Sequence, residues 1–338
     1  MSAIKFKLTL DPKKSAMSMG YQDHLFLIGS CFTENIGAKM KAHMFTVMEN
    51  PHGILFNPVS VMRAMDDYIQ NKKYGEQDLF EYNELFNSWQ HHTRFSDLTT
   101  TLALEKINAS IHDAHHYLKQ ANKLIITLGS AWLYELTALA PQGPGIIVAN
   151  NHKGPANWFT KKLMDPFELS SQLQNMVSQL QAFNINLDII FTISPVRHLR
   201  EGLVENNKSK SVLNVAVHDV IAKSSKVEYF PAYEYVIDDL RDYRFYAEDL
   251  VHPNYAATNY VWEKWVDTYV AEDTRDIMKQ VIELQLAMQH KPFNKASKAH
   301  QSFVRSSLVK ANALLEQYPF LPLQQAIRFF NGELVNIT

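Results

Sequence analysis

The sequence predicts an α/β protein: a three-layer, doubly wound parallel sheet with a helical extension at the C-terminal end. Apolar runs that read as strands occupy residues 25–28, 124–128, 187–193 and 227–230. The first three are apolar almost throughout, which is typical of parallel strands covered by helices on both faces. Each of these three ends in Gly or Ser-Pro and is followed by helical or mixed sequence. This β–α alternation implies right-handed crossovers between parallel strands.

Helical patterns account for most of the remaining chain. In the first part they cover residues 34–48, 59–70, 104–119, 166–183 and 197–221. From residue 255 onward the sequence is mostly helical, in segments 255–289, 299–317 and 323–331 that are separated near Pro292 and Pro319. Proline ends a helix because it lacks the backbone N–H. We therefore expect an α/β domain over residues 1–270 and a C-terminal helical extension over residues 271–338 that packs on it.

Composition and charge exclude several classes of partner. The 338 residues carry 33 basic and 35 acidic side chains, a formal net charge of −2, so there is no global electrostatic basis for binding nucleic acid or an anionic membrane. No run approaches the ~20 apolar residues of a membrane span, and the N-terminal residues lack an apolar core of signal-peptide length. A single cysteine rules out an internal disulfide. We expect a cytoplasmic protein that binds neither nucleic acid nor membrane.

The lone cysteine, Cys31, stands where the first apolar run turns into a helix. Gly29 and Ser30 close the strand, and Ile36 and Met40 begin a helical pattern. A thiol at a helix N-terminus faces unpaired backbone N–H groups and the positive end of the helix dipole, so we expect a lowered thiol pKa. Ligands of parallel α/β sheets bind at the C-terminal ends of the strands, which also favours Cys31 as a nucleophile. The alternative is a small buried hydrophobe.

Asp249 and His252 form a second candidate group. They stand three residues apart, just before a helical segment. At that spacing the carboxylate can hold the imidazole tautomer while the other ring nitrogen faces a nucleophile. The alternative is an aspartate that caps a helix beside a surface histidine. Because the pair follows the last strand, it can return to the sheet edge that carries Cys31, and it then suggests the base and orienter of a nucleophile–His–Asp triad.

Several blocks of the sequence together resemble one protein family. They are residues 29–32 (GSCF), 50–58 (NPHGILFNP), 127–132 (TLGSAW), 148–153 (VANNHK), 194–198 (SPVRH), 229–234 (YFPAYE) and 242–253 (DYRFYAEDLVHP). In this order they resemble the GSCFA domain family, which is grouped with the SGNH/GDSL-type hydrolases and related acyl esterases. The resemblance covers roughly residues 1–270, and block 242–253 is the longest and most specific.

The resemblance implies a flavodoxin-like, three-layer fold of the SGNH-hydrolase type with an ester-directed acyl site. In that superfamily a Gly-Asp-Ser turn carries the nucleophile, and a late Asp-x-x-His carries the orienter and the base. Aligning the glycine places Cys31 on the nucleophile, His252 on the base and Asp249 on the orienter. An alignment shifted by one residue makes Ser30 the nucleophile instead.

The resemblance also indicates which groups would contact the substrate. The third block of the superfamily usually offers an asparagine as oxyanion donor, and Ala131 stands near that place here. We therefore expect backbone N–H donors at Cys31 and around Gly53, with the Asn57 side chain as a further donor. The remaining candidates lie at strand ends or in polar loops: Gly129, Ser130, His92, His152 and Arg197.

Each polar candidate has a structural alternative. The loop of His92 could line a cleft or lie on the surface, and His152 could bind a carbonyl or anionic group or form a turn. Arg197 could clamp an anionic group or pair with a structural carboxylate. The histidine pairs of the chain do not match common ligand spacings, and no glycine-rich phosphate loop occurs, so we expect neither a catalytic metal nor a cofactor.

The sequence thus favours an esterase or acyltransferase that acts on an O-acyl group of a small molecule, with saccharides among the candidate carriers. His252 would deprotonate Cys31, the thiolate would attack the ester carbonyl, and water or an acceptor hydroxyl would release the acyl group. The alternative class is a ligand-binding module that keeps the cleft without efficient turnover. A thiol redox sensor is disfavoured because no second cysteine exists to form an intramolecular disulfide.

Overall fold

A parallel five-stranded sheet lies at the centre of the structure, a computed structural model that describes residues 8–334. In spatial order its strands are β2 (Thr46–Glu49), β1 (His24–Gly29), β5 (Lys123–Leu128), β8 (Asp188–Ile193) and β9 (Val227–Phe230). Antiparallel pairs are formed by β3 (Phe80–Tyr82) with β4 (Leu85–Asn87) and by β6 (Trp132–Leu136) with β7 (Phe159–Leu163). Residues 1–7, on which the signal-peptide prediction rests, and residues 335–338 of the predicted extension lie outside the described range.

Helices connect the strands and form the C-terminal part of the chain. They are α1 (Cys31–Ala42), α2 (Pro58–Gln70), α3 (Thr100–Gln120), α4 (Pro166–Phe183), α5 (Leu203–Lys223), α6 (Ala232–Glu234, continued by a π-helix Tyr235–Leu240), α7 (Tyr255–Tyr269), α8 (Glu272–Gln289), α9 (Lys298–Gln317) and α10 (Gln324–Glu333). Side-chain caps define where several helices begin. The side chains that accept backbone N–H groups of the first helical turn are those of Asn57, Thr99, Asp165 and Asn254. Within residues 8–334 no helix has the length and apolarity that a membrane crossing requires.

Two hydrophobic clusters, one on each face of the sheet, define three layers. Side chains alternate along a strand, so Phe26 and Ile28 of β1 join the cluster formed with α2, α3, α4 and α5. Leu25 and Leu27 point the other way and join the cluster formed with α1 and α7. The predicted three-layer, doubly wound α/β architecture is therefore confirmed.

The C-terminal helices pack on the same face of the sheet as α1. Val281 of α8, Val304 of α9 and Phe330 of α10 are buried in the cluster that contains Phe32 of α1 and Leu27 of β1. Burying a side chain of this size contributes roughly 1.5–3 kcal/mol. The extension and the sheet thus share one core, and the division at residue 270 remains a prediction.

The predicted helix over residues 34–48 is in fact a helix followed by a strand. It ends at Ala42, and Met44 takes a positive φ of 63° that reverses the chain. The β-branched residues Thr46 and Val47 then pair with β1 as the edge strand β2. The two antiparallel pairs were not predicted either, because strands of three to five residues carry too little periodicity to be recognised.

Two other helix boundaries differ from the sequence-based expectation. The helix predicted over residues 255–289 is split into α7 and α8, because the N–H of Ala271 bonds to the Met19 carbonyl at 3.1 Å and leaves the helical ladder. The helix predicted from residue 197 begins at Leu203, after Gly202 has turned the chain with a φ of 92°.

Candidate active site

Cys31 is the first residue of α1 and follows directly on the C-terminal end of β1. Gly29 makes the turn with a φ of 138°, and a Cβ there would lie 2.1 Å from the Thr127 carbonyl oxygen, so glycine is required. Ser30 is wholly buried, and its N–H bonds to the same oxygen at 3.1 Å. Its Oγ has no hydrogen-bond partner among the described residues. Cys31 is partly exposed and is the more accessible of the two candidate nucleophiles.

The pKa of the Cys31 thiol is raised, so the prediction of a lowered value is wrong. Burial of the side chain is the largest cause, because desolvation disfavours the charged thiolate. The carboxylate of Glu34, one turn along α1, adds to the rise. The backbone N–H groups of Cys31 and Phe32 and the amine of Lys210 favour the thiolate, as expected at a helix N-terminus, but burial outweighs them.

Asp249 and His252 are hydrogen-bonded to each other. Asp249 Oδ2 lies 2.6 Å from His252 Nδ1, and Oδ1 accepts the backbone N–H groups of Val251 at 2.9 Å and His252 at 3.0 Å. These hydrogen bonds lower the pKa of Asp249 to about 2, and the bond from the His252 backbone N–H has the largest effect. An ionised Asp249 makes Nδ1 the donor, so Nε2 of a neutral His252 is a proton acceptor. Both side chains are about half exposed, which gives Nε2 access to a substrate.

Arg197 fastens the loop that carries this pair to the end of β8. Its backbone N–H bonds to the Val251 carbonyl at 3.2 Å, and Nη1 bonds to the Leu250 carbonyl at 3.4 Å. Its guanidinium stacks over the ring of Tyr246 at 4.1 Å. Among the side chains that the structure describes, no carboxylate forms an ion pair with Arg197. Its guanidinium contacts the Tyr246 ring and the Leu250 carbonyl instead.

The hydrogen bond that would complete a triad is not formed within the described chain. Neither the sulfur of Cys31 nor the hydroxyl of Ser30 is hydrogen-bonded to His252. The turn and the loop nevertheless belong to the same edge of the sheet. The turn follows β1, the loop is held to the end of β8, and β5 lies between them. The role of Cys31 as nucleophile therefore stays a proposal.

Gly53 and Asn57 shape the loop after β2 and do not offer the predicted oxyanion donors. The N–H of Gly53 bonds to the Asn50 carbonyl at 2.8 Å. Asn57 caps α2 by accepting the Ser60 N–H at 2.8 Å, and its Nδ2 donates to the Val148 carbonyl at 3.2 Å. Both residues are occupied in local structure because the loop must satisfy its own buried polar groups.

Gly129 and Ser130 are tied to the same loop. Their N–H groups both bond to the Phe56 carbonyl, at 3.0 Å and 2.9 Å. A Cβ at Gly129 would come within 3.0 Å of that oxygen, which explains the glycine. The backbone donors beside the thiol are instead those of Cys31 and Phe32 at the start of α1, where a helix has no internal acceptors for them.

His92 and His152 differ in how deeply they are buried. His92 is half-buried, its Nδ1 accepts the Arg94 N–H at 3.2 Å, and its Cβ lies 2.1 Å from where a Cβ at Gly53 would be. His152 is buried, with Nε2 2.8 Å from the Ser88 carbonyl oxygen. Burial is the main reason that the pKa of both rings is lowered. Among residues 8–334, no three His, Cys, Asp or Glu side chains come together as a metal site.

Lys210 is a residue of this region that the sequence reasoning missed. It is only 1% exposed, and its Nζ donates to the carbonyl oxygens of Gly129 and Ser194, both at 2.6 Å, at the ends of β5 and β8. Burial lowers the pKa of its ammonium to about 7, and the charge of Cys31 opposes that fall. The sequence does hold a signal: Lys210 stands three residues before Leu213, on the apolar stripe of α5.

Asn50 was noted only as part of a sequence block, and the structure gives it a direct contact with the turn. It is fully buried, and its Oδ1 accepts the N–H of Gly29 at 2.9 Å. The Gly29 carbonyl in turn accepts the N–H of Leu55 at 2.9 Å. The loop after β2 therefore holds the turn before Cys31 through both the N–H and the carbonyl of Gly29.

Solved structures resemble the chain only at low identity. An acetyl xylan esterase from the rumen bacterium Butyrivibrio proteoclasticus superposes with a TM-score of 0.36 at 14% identity, over 73% of this chain and 63% of its own. The chain thus spans less than two thirds of that esterase. A family 3 carbohydrate esterase from Clostridium thermocellum gives a TM-score of 0.33 at 10% identity, over 77% of this chain and 98% of its own. Structural similarities this weak say nothing about the activity of the chain. None of the curated proteins compared with the chain matches it.

Two family models cover most of the sequence. The model of the GSCFA family matches residues 24–265, and the model of the C-terminal domain of GSCFA domain proteins matches residues 281–336. The first match includes both the turn at Cys31 and the Asp249–His252 pair, and it alone spans more than half of the chain. The chain belongs to the GSCFA family.

Proposed function

We propose that the protein is an esterase or acyltransferase that takes an O-acyl group onto Cys31, with His252 as the base and Asp249 as its orienter. The observation that carries the proposal is the 2.6 Å hydrogen bond between Asp249 and His252, which fixes the ring tautomer that a general base needs. Two features support it: the place of Cys31 at the carboxyl edge of a parallel sheet, where ligands bind, and the resemblance of the GSCFA family to SGNH/GDSL-type hydrolases.

The proposed reaction has two acyl-transfer steps. Nε2 of His252 takes the thiol proton as the sulfur of Cys31 attacks the ester carbonyl, and the same proton passes to the leaving alkoxide as the ester C–O bond breaks. Water or an acceptor hydroxyl then attacks the thioester and restores the thiol. The raised pKa of Cys31 keeps the thiol protonated at neutral pH, so the base must act during the attack. Saccharide esters of small acids are the candidate substrates.

The proposed oxyanion donors are the backbone N–H groups of Cys31 and Phe32. The Cys31 N–H was expected from the sequence, and the Phe32 N–H was not. The N–H groups of Gly53, Gly129 and Ser130 donate to loop carbonyls instead. The hydrogen bond between His252 and Cys31 would form when a substrate is bound, since catalytic hydrogen bonds are often long in empty sites and tighten in the complex.

Hydrolysis of p-nitrophenyl acetate, read together with intact-protein mass spectrometry, tests this proposal. We expect an acetyl adduct on the wild type that is absent in Cys31→Ala, and a fall in rate of about 10⁴-fold or more in His252→Ala. His112→Ala, an exposed histidine on α3, is the matched control and should leave the rate unchanged. Activity that survives in Cys31→Ala but is lost in Ser30→Ala would move the nucleophile to Ser30.

A ligand-binding module is the second candidate function. It is favoured by the raised thiol pKa and by the absence of a hydrogen bond between Cys31 and His252 in the described residues. In that case calorimetry would detect saturable binding of acetylated oligosaccharides to the wild type, and His252→Ala would bind equally well. The wild type would then show neither turnover nor an acyl adduct with any donor.

A further inference from the structure

A cleft of about 280 Å³ lies between α2 and the chain segments 72–78, 89–90 and 142–146. It shares no lining residue with the turn at Cys31 or with the Asp249–His252 pair. Ligand sites in proteins are concave and measure about 300–1,000 Å³. The volume of this cleft is close to the lower end of that range, so its size matches a small molecule.

Two cationic side chains line the cleft with hydrogen-bond donors to spare. Arg63 Nη1 donates to the Ile147 carbonyl at 3.0 Å, and this is the one hydrogen bond of the guanidinium to the described residues. A guanidinium has five N–H donors in a planar fork, so most of them are left for a further acceptor. Lys72 Nζ lies 3.5 Å from Asp67 Oδ1, which is an ion pair but longer than an ordinary hydrogen bond.

The charges around the cleft favour a ligand with a single negative charge. Arg63 and Lys72 face one lining carboxylate, Asp78, whose Oδ2 is engaged by two donors of its own segment at 2.8 and 3.3 Å. Asp66 interacts with Arg63 only beyond ion-pair distance and lines the neighbouring cleft between α2 and α4. The described lining thus carries one net positive charge. The nearby aspartates, including Asp67 behind Lys72, disfavour a doubly charged anion such as phosphate.

The amide side chains of the cleft offer acceptors in fixed positions. Gln90 Nε2 donates to the Ile147 carbonyl at 3.2 Å, the same oxygen that holds Arg63. Gln142 Nε2 donates to two backbone carbonyls of segment 77–79, both at 2.8 Å. The Oε1 atoms of both amides make no hydrogen bond to the described residues, and that of Gln90 is buried. Amide oxygens accept from hydroxyl groups, so these positions favour a ligand that carries hydroxyls.

We propose that this cleft binds a small hydroxylated monocarboxylate of the size of a sugar acid, with its carboxylate on Arg63. The guanidinium fork takes the two carboxylate oxygens, and Lys72 adds a second positive charge. The amide oxygens of Gln90 and Gln142 accept ligand hydroxyls. This binding is non-covalent and uses neither Cys31 nor His252, so it is independent of the proposed acyl chemistry.

Isothermal titration calorimetry with D-glucuronate tests the proposal, and D-glucose is the uncharged probe with the same ring. We expect saturable binding of glucuronate to the wild type and a Kd for glucose that is at least about tenfold higher. Arg63→Lys keeps the charge but loses the fork, and Arg63→Met loses both, so each should raise the Kd for glucuronate about tenfold or more. Arg305→Met, at an exposed position on α9, is the matched control and should leave the Kd unchanged.

Three results would overturn the proposal: no saturable binding of glucuronate, equal binding of glucose, or an unchanged Kd in both Arg63 variants. Inorganic phosphate that displaces glucuronate at equal concentration would also overturn it, because the cleft would then prefer a doubly charged anion.

A further measurement requires no Arg63 variant to fold. The NMR signal of the Trp89 indole N–H, which donates to the Pro141 carbonyl beside the cleft, should shift as glucuronate is added. Cys31→Ala should bind glucuronate with the wild-type Kd. An unshifted Trp89 signal, or binding that is lost in Cys31→Ala, would place glucuronate outside this cleft and refute the assignment.

Discussion

Replacing Gly29 by alanine tests whether the turn before Cys31 tolerates a side chain. A Cβ there would lie 2.1 Å from the Thr127 carbonyl oxygen and 2.8 Å from its carbon, both backbone atoms of β5 that cannot withdraw. The φ of 138° adds strain in a region nearly confined to glycine, at about 1–3 kcal/mol. Forcing an extra carbon into a packed site costs about 1–3 kcal/mol more. We therefore expect the free energy of unfolding to fall by about 2–6 kcal/mol.

Gly145→Ala is the matched control for this substitution. Gly145 also has a positive φ, 93°, but the space around its missing Cβ is open. Only the backbone strain applies there, so Gly29→Ala should cost at least about 1 kcal/mol more than Gly145→Ala. Urea unfolding followed by tryptophan fluorescence gives both values, and the rate of Cys31 alkylation before unfolding reports on the turn itself. Equal losses in the two variants would refute the steric argument.

Other substitutions probe the surroundings of the site. Burial holds the pKa of the His91 ring well below its ordinary range, so the folded protein favours the neutral ring. The neutral ring therefore contributes its full stabilisation above pH about 6.5, the pKa of histidine in the unfolded chain, and this contribution is lost as the pH falls below that value. We expect Tm to drop on acidification and His91→Gln to flatten the drop, whereas a wild-type Tm that is constant below pH 6.5 would contradict this. Ser30→Ala removes a buried hydroxyl with no described partner, so the free energy of unfolding should stay level or rise by up to about 1 kcal/mol, and a clear loss in urea unfolding would reveal a bond to it. Arg197→Ala should lower the proposed acyl turnover roughly tenfold or more by loosening the loop of His252. Full rescue by Arg197→Lys, which lacks the flat stacking surface, would refute that role.

The parts of the fold that were predictable are those encoded over short stretches of chain. Three of the four predicted strands, β1, β5 and β8, are buried runs of mostly apolar residues. Helix α4 begins as predicted because Asp165 caps it and Pro166 occupies its first position. Strand β2 was not predicted, because its four residues are only partly buried and carry no apolar run. Its pairing depends on β1, more than 20 residues earlier at His24, which no local pattern shows.

The same distinction applies to the candidate site. The positions of Cys31 and of the Asp249–His252 pair follow from a turn and a four-residue motif, both local. Lys210 was missed because its carbonyl partners stand 81 and 16 residues away in sequence, at the ends of two strands. The direction of the Cys31 pKa was also misjudged, because burial is a sum over many distant neighbours, whereas the helix N-terminus that favours the thiolate is visible in the sequence.

The packing of the C-terminal helices on α1 has a consequence for synthesis on the ribosome. The sheet face that carries Leu27 is closed in part by Val304 and Phe330. At a ribosomal rate of about 5–20 residues per second, roughly 15–60 s separate Leu27 from Phe330 on the growing chain. During that interval one apolar face of the nascent protein lacks part of its cover, and chaperone binding and aggregation compete with folding. The helix that presents Cys31 therefore gains its full native packing only after α10 has been made.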